Sequence, residues 1–241
     1  MKEINAKDLL IKIFTPAIVL IVAYGILGSL IKIPHLLLFC LLGTVILVPI
    51  ELGIILYIGK REYGTYTLKS ALVGQEKLPI WQIIIIALAF FGMAGLFSAF
   101  IAPIENYIWA DVRSIVLSNL PVGFDWTNYD YLKSFSRPML IFTCIYYGIF
   151  NVFLGPITEE LFSRGYLTSH YKKQNALTPI LITILFSLYH FWLPFNNVFR
   201  ILAFAPVAYV TYKKKNLYIC MCFHCICNLF STISFSIAVL G

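Results

Sequence analysis

Apolar and polar positions fall along this chain in long blocks rather than in short periods. Runs rich in Leu, Ile, Val and Phe cover about 10–31, 36–58, 80–104, 138–158, 176–193, 198–212 and 216–240. A hydrocarbon core of about 30 Å takes about 20 apolar residues as helix, and lipid offers an open backbone no partner. Each run therefore predicts a membrane-crossing helix, although 198–212 is short and is expected to be tilted or shielded by its neighbours. The polar segment 105–137 predicts an outer connection. The expected fold is an all-α, polytopic helical bundle with about seven transmembrane helices. The N-terminal run is interrupted by Pro16 and has no small-x-small site at its end, so it predicts a first span rather than a cleaved signal.

One place unsettles the count. As a single helix, 138–171 would be about 50 Å long at 1.5 Å per residue. Gly155-Pro156 is expected to break or kink it, with Pro156 in the first turn of a new helix. Glu159 and Glu160 would then sit near a helix N-terminus, where the backbone dipole favours negative charge. If the second half crosses or re-enters, the count becomes eight; six to eight is the expected range.

Composition supports a membrane protein. Of 241 residues 60% are hydrophobic and 12% charged, with mean hydropathy +0.86. Soluble domains carry about 25% charged residues, so this chain cannot cover a water-facing surface. The net charge of +7 does not imply nucleic acid, because the basic residues gather at run ends, where they set orientation. With seven crossings and a cytoplasmic N-terminus, thirteen of the eighteen Lys and Arg fall on the cytoplasmic side. These are Lys2, Lys7, Lys12, Lys60, Arg61, Lys69, Lys77, Arg164, Lys172, Lys173 and Lys213 to Lys215. The chain reads as one domain, 1–241, without linker or repeat. Four of six cysteines crowd into 220–227. They scatter around a helix at 100° per residue and read as small buried apolar residues, without disulfides.

Three polar constellations remain inside the apolar blocks. In PITEELFSRGYL, Glu160 and Arg164 are four apart and can pair on one helical face. Glu159 points about 100° away and is left without that partner. In LFSLYHF, Phe186 and His190 are four apart, as are His224 and Asn228 in FHCICNLF. Ionisable groups within spans are costly and face a bundle interior or a wet cavity. One such histidine could be mere glue between helices. Two histidines, an Asn and a spare Glu on three helices suggest chemistry. His35 and His170 sit at run ends and need no special role.

The ordered set Glu159-Glu160-x-x-x-Arg164, Phe186-x-x-x-His190 and His224-x-x-x-Asn228 resembles the CAAX protease and bacteriocin-processing family, also called the Abi family of intramembrane glutamic proteases. Gly165 after the arginine and Pro156 before the glutamates fit its pattern. The resemblance covers about 150–230, the expected catalytic core. It implies an intramembrane endopeptidase acting on membrane-associated peptides or proteins. Glu159 would be the general base, and His190 would help hold a water. His224 and Asn228 would stabilise an oxyanion, and Glu160 and Arg164 would position the set.

The chemistry is coherent on general grounds. Amide hydrolysis without a Ser or Cys nucleophile needs an activated water and oxyanion donors. Ser163 and Ser187 lie near the set, but no G-x-S-x-G is present. No cofactor is expected. The alternative, a zinc held by His190, His224 and Glu159, lacks an H-E-x-x-H, and Asn228 is a poor zinc ligand. A non-enzymatic membrane immunity or binding protein is the other alternative. Richness in Ile, Lys, Phe and Tyr suggests an AT-rich bacterium. The expected location is then its plasma membrane, and the expected substrates are a pheromone, a bacteriocin leader or a membrane-anchored peptide.

Overall fold

The computed structural model describes residues 3–241. Lys2, counted above among the cytoplasmic charges, lies outside the described residues. Nine helices carry the fold among those residues: α1 Ala6–Gly28, α2 His35–Tyr63, α3 Ile80–Ile108, α4 Ala110–Ser118, α5 Tyr129–Lys133, α6 Arg137–His170, α7 Thr178–Leu188, α8 Asn197–Lys214 and α9 Tyr218–Leu240. The fold is the all-α polytopic membrane bundle that the runs imply.

Five helices, α1, α2, α3, α6 and α9, are long and apolar enough to cross a membrane. The runs at 176–193 and 198–212 also become helices. However, α7 has 11 residues, and α8 carries Arg200, Lys213 and Lys214 among its 18. The expected seven crossings thus divide into five full-length helices and two that are shorter or more polar. The outer segment is not a bare loop, since it holds α4 and α5. Trp126 Nε1 donates to the Tyr24 hydroxyl at 2.8 Å and fixes this segment against α1.

Local chemistry sets the helix ends. Asn5 caps α1 by accepting the Asp8 amide at 2.9 Å. Gly64 ends α2 with φ 79°, a left-handed backbone that glycine adopts without a Cβ penalty.

The expected break at Gly155-Pro156 does not occur, because α6 runs unbroken through both residues for 34 residues. Instead the backbone widens into a π turn over Ile149–Leu154, immediately before them. Proline has no N–H to give, and its ring crowds the carbonyl four residues back. A wider turn accommodates both effects without ending the helix. A second π turn, Leu161–Leu167, follows Glu160 directly. The two glutamates therefore lie in mid-helix and not at a fresh N-terminus. The dipole account of their charge fails, and side chains must satisfy them.

Two apolar cores meet at this point. The larger joins α1, α2, α6 and α7 through Leu20, Phe39, Ile55, Phe162 and Phe186. The smaller joins α3, α8 and α9 through Ala87, Ala94, Phe204, Val207 and Phe223. Alanines on α3 and α8 allow close approach, as small residues do between membrane helices. Large side chains such as Val22, Ile26, Ile85, Phe100, Ile145, Phe153 and Ile237 are exposed, a surface suited to lipid.

Candidate active site

The carboxylates of α6 sit on the seam between the cores. Glu159 is 8% exposed and Glu160 is fully buried. Glu160 Oε1 takes two partners, Arg164 Nη1 at 3.2 Å and His224 Nδ1 at 2.9 Å. The predicted Glu160–Arg164 pair is present, joined through a single guanidinium nitrogen. That nitrogen also donates to Ser163 Oγ at 2.9 Å. Nε and Nη2 of Arg164 have no hydrogen-bond partner, and the guanidinium lies over the Phe186 ring, 4.1 Å from its centroid. Its delocalised charge is thus satisfied partly by an aromatic face. Buried in this way, Arg164 is part of the bundle interior and does not belong among the orientation-setting charges.

Glu159 faces different neighbours. The Tyr189 hydroxyl donates a short hydrogen bond to Glu159 Oε1. The second oxygen, Oε2, lies 3.8 Å from His224 Nε2. The imidazole of His224 therefore stands between the two carboxylates, with Phe204 and Phe186 as walls at 4.8 and 6.0 Å. Nδ1 serves Glu160, and Nε2 is left to face Glu159.

His190 follows the C-terminal end of α7. Its Nδ1 bonds the Phe186 carbonyl at 2.7 Å. A carbonyl only accepts, so Nδ1 carries the proton, and Nε2 of a neutral ring would keep its lone pair. The i, i+4 spacing of Phe186 and His190 thus acts through the backbone as well as through ring contact at 4.8 Å. Arg200 packs nearby, donating to the Ser187 carbonyl at 3.1 Å and the Leu193 carbonyl at 3.3 Å.

Asn228 is placed differently from the other motif residues. Its amide donates to the Asn151 carbonyl at 2.8 Å, and the Asn151 amide returns a bond to the Asn228 carbonyl at 3.3 Å. This exchange ties α9 to the first π turn of α6. Asn228 lies one helical turn beyond His224, and its recorded partners are on Asn151 rather than among the carboxylates.

Motif reading missed several residues that shape the site. Tyr189 directly precedes His190. Asn151 is the sole amide side chain in its run, and Glu51 is the sole charged residue in 36–58. Each is a polar exception in an apolar block, the same signal that exposed the motifs. Glu105, buried in α3, accepts the backbone amides of Val198 and Phe199 at 2.9 Å each. It caps α8 from another helix and so fixes Phe204 and Arg200.

Among the described residues, no three His, Cys, Asp or Glu side chains group in an arrangement that would hold a metal ion. The His224 nitrogens point at carboxylates, and His190 Nδ1 is taken by a carbonyl.

A buried carboxylate, a hydroxyl and two imidazoles are thus gathered inside a membrane bundle. Residues 141–230, which span all three motifs, match the family model described as type II CAAX prenyl endopeptidase Rce1-like. The motif resemblance to CAAX proteases is borne out over that stretch, and at family level it supports a CAAX-type endopeptidase of the membrane. No curated protein and no solved structure matches the chain.

Proposed function

We propose that this protein hydrolyses peptide bonds of membrane-associated peptides, with water activated by Glu159. The observation that carries the proposal is the placement of Glu159. It is buried on the seam of two cores, held by Tyr189, and has its second oxygen turned toward His224. Glu160 is occupied by Arg164 and His224, so the two adjacent carboxylates have separate tasks.

Glu159 takes a proton from water as the hydroxide adds to the carbonyl carbon. His190, with Nε2 unprotonated, accepts a hydrogen bond from that water and fixes its direction. The tetrahedral oxyanion then needs donors. His224 supplies Nε2–H when its ring carries both protons. Asn228 supplies an amide hydrogen by turning from Asn151. When the C–N bond breaks, its electron pair goes to nitrogen, and Glu159 returns the proton to the leaving amine. No metal-dependent step is needed.

The cell is a bacterium with the N-terminus of the chain in the cytoplasm. The substrates are short membrane-bound peptides of pheromone or bacteriocin type, and processing them gives the producer protection from its own peptide. Comparing peptides that accumulate in wild-type and Glu159→Gln cells tests this. An accumulated, uncleaved membrane peptide in the variant is expected. Identical peptide profiles, with the variant inserted and folded, would overturn it.

A further inference from the structure

Glu51 on α2 is 1% exposed, and its Oε2 has no hydrogen-bond partner. It lies within the apolar run 36–58, of which it is the sole charged residue. A carboxyl in such a place costs several kcal/mol unless it is paired or uncharged. No cation is recorded as its partner. It interacts electrostatically with Glu159, and Tyr189 interacts with both carboxyls.

The helix register explains why these groups meet. The C-terminal ends of α2 and α6 are joined by Glu62 and His170, whose Oε2 and Nε2 are 3.3 Å apart. Both helices therefore run in the same direction from that point. Eleven residues back from Glu62 is Glu51, and eleven back from His170 is Glu159. Glu51 lies about 16 Å along continuous α-helix from Glu62, and the π turn Leu161–Leu167 shortens the corresponding rise from His170 to Glu159. Each carboxyl thus lies roughly two to three turns before the joined pair, at a similar depth in the bundle. The α2 and α6 segments that carry them pack against each other.

Two carboxyl groups that interact in a low-dielectric site do not both ionise. We propose that Glu51 is a positioning residue of the active site, a carboxyl that stays protonated beside Glu159 and so leaves Glu159 as the one that ionises and serves as base. Glu160, the other nearby carboxylate, is already bound to Arg164 and His224. Besides Glu159 and Tyr189, the charged and titratable side chains around the site are Arg164, Arg200, His190 and His224. The recorded hydrogen bonds of these four run to Glu160, Ser163, Ser187, Asn197 and backbone carbonyls. During turnover Glu51 keeps its proton. Glu159 takes one from water and returns it to the amine, so the proton count of the site is restored.

The inference rests on Glu159 being the base, and the test separates the two ideas. Infrared spectra of the purified protein in light and heavy water should show the carbonyl stretch of a buried protonated carboxyl. That band should be missing in Glu51→Gln and shifted in Glu159→Gln, whether or not a substrate is known. Single-turnover cleavage of a fluorogenic membrane peptide supplies the second arm. In Glu51→Gln, kcat should fall about tenfold as the Glu159 base loses its protonated neighbour, with KM unchanged. The pH–rate profile should change shape as well. Glu51→Asp, which keeps the acid, should recover part of kcat. If Glu51→Gln misfolds, Glu51→Asp and the wild-type band still decide the matter. A band that survives in Glu51→Gln overturns the proposal, as does a Glu51→Gln profile superimposable on wild type. Full activity in Glu159→Gln with the Glu51 band intact would sink the hydrolase mechanism instead.

Discussion

The Tyr189 hydroxyl donates to the Glu159 carboxylate across 30 residues of sequence, joining the end of α7 to the middle of α6. It fixes one oxygen of the carboxylate and leaves the other free toward His224. Glu159→Gln, nearly isosteric but unable to take a proton, should abolish turnover while leaving the protein inserted and folded. Tyr189→Phe should keep the fold and lose one hydrogen bond to a charged group, about 1.5–3 kcal/mol. That predicts a fall in kcat of about ten- to a hundredfold. Single-turnover cleavage normalised to folded protein by gel filtration measures both. Wild-type kcat in Tyr189→Phe would show that the hydroxyl does not set the position of the base.

The Glu160–Arg164 pair differs from a bidentate fork, and that changes what substitutions should do. Arg164 uses one nitrogen on the carboxylate and lays its plane on Phe186. Lysine can make the single bond but cannot stack. Arg164→Lys should therefore retain some folded yield and lose activity as the α6–α7 contact loosens. Arg164→Ala leaves Glu160 buried with His224 alone and should cost about 3–5 kcal/mol of stability, seen as lost folded yield. Equal yields for the Lys and Ala variants would remove the aromatic face from the explanation.

The runs and the spaced motifs made most of this architecture legible. Every apolar block became a helix, Glu160 and Arg164 pair as their spacing suggested, and His224 from α9 lies against both glutamates. What spacing could not show was how α6 passes Pro156. A proline predicts a break when only an α-helix is considered. The π turn over Ile149–Leu154 absorbs it by local widening, which leaves no periodic signature. Partners from other helices, such as Glu51, Tyr189 and Asn151, were hidden for a different reason. Their roles depend on how separate helices are brought together, for Glu51 through the α2–α6 pairing that Glu62 and His170 mark over a separation of 108 residues. Glu105 falls in the polar segment 105–137 of the sequence, whereas α3 extends beyond its apolar run, to Ile108, and carries it into the bundle.

Glu105 gives a prediction about stability rather than chemistry. It satisfies two amide donors at the start of α8, the helix that carries Arg200 and Phe204. Glu105→Ala leaves both donors without their partner. The expected cost is about 1–3 kcal/mol per buried unsatisfied group, discounted where water reaches the helix end. Glu105→Gln keeps one acceptor oxygen and should fall between Ala and wild type. Thermal unfolding in detergent checks the order. An unchanged melting temperature in Glu105→Ala would mean that water replaces the carboxylate fully.

Asn228 and Asn151 exchange hydrogen bonds between α9 and α6, so Asn228 can serve either structure or the oxyanion. The two roles separate by variant. Asn228→Ala removes the oxyanion donor, and loss of one such donor costs about 10²–10³ in kcat. Asn151→Ala removes only a partner of Asn228 and leaves its amide free to turn. It should lower folded yield more than kcat per folded molecule. Equal losses of kcat in both variants would assign Asn228 to the helix contact alone.

Orientation can be read with single cysteines. All six native cysteines are free thiols, so a background with each replaced by Ala keeps unintended labelling low. Ser118 at the end of α4 and Lys214 at the end of α8 are both exposed. The excess of Lys and Arg on segments assigned inside predicts that Ser118→Cys reacts with an impermeant maleimide in intact cells. Lys214→Cys should react only after the membrane is opened. Leaving the buried Arg164 out of the thirteen still leaves an excess on that side. The structure places Glu62 and His170 together, so the ends of α2 and α6 share one side of the bilayer. Glu62→Cys should therefore label with the Lys214 set. Labelling of Ser118→Cys only from the cytoplasmic side would invert the whole arrangement, and with it the side from which substrate peptides reach Glu159.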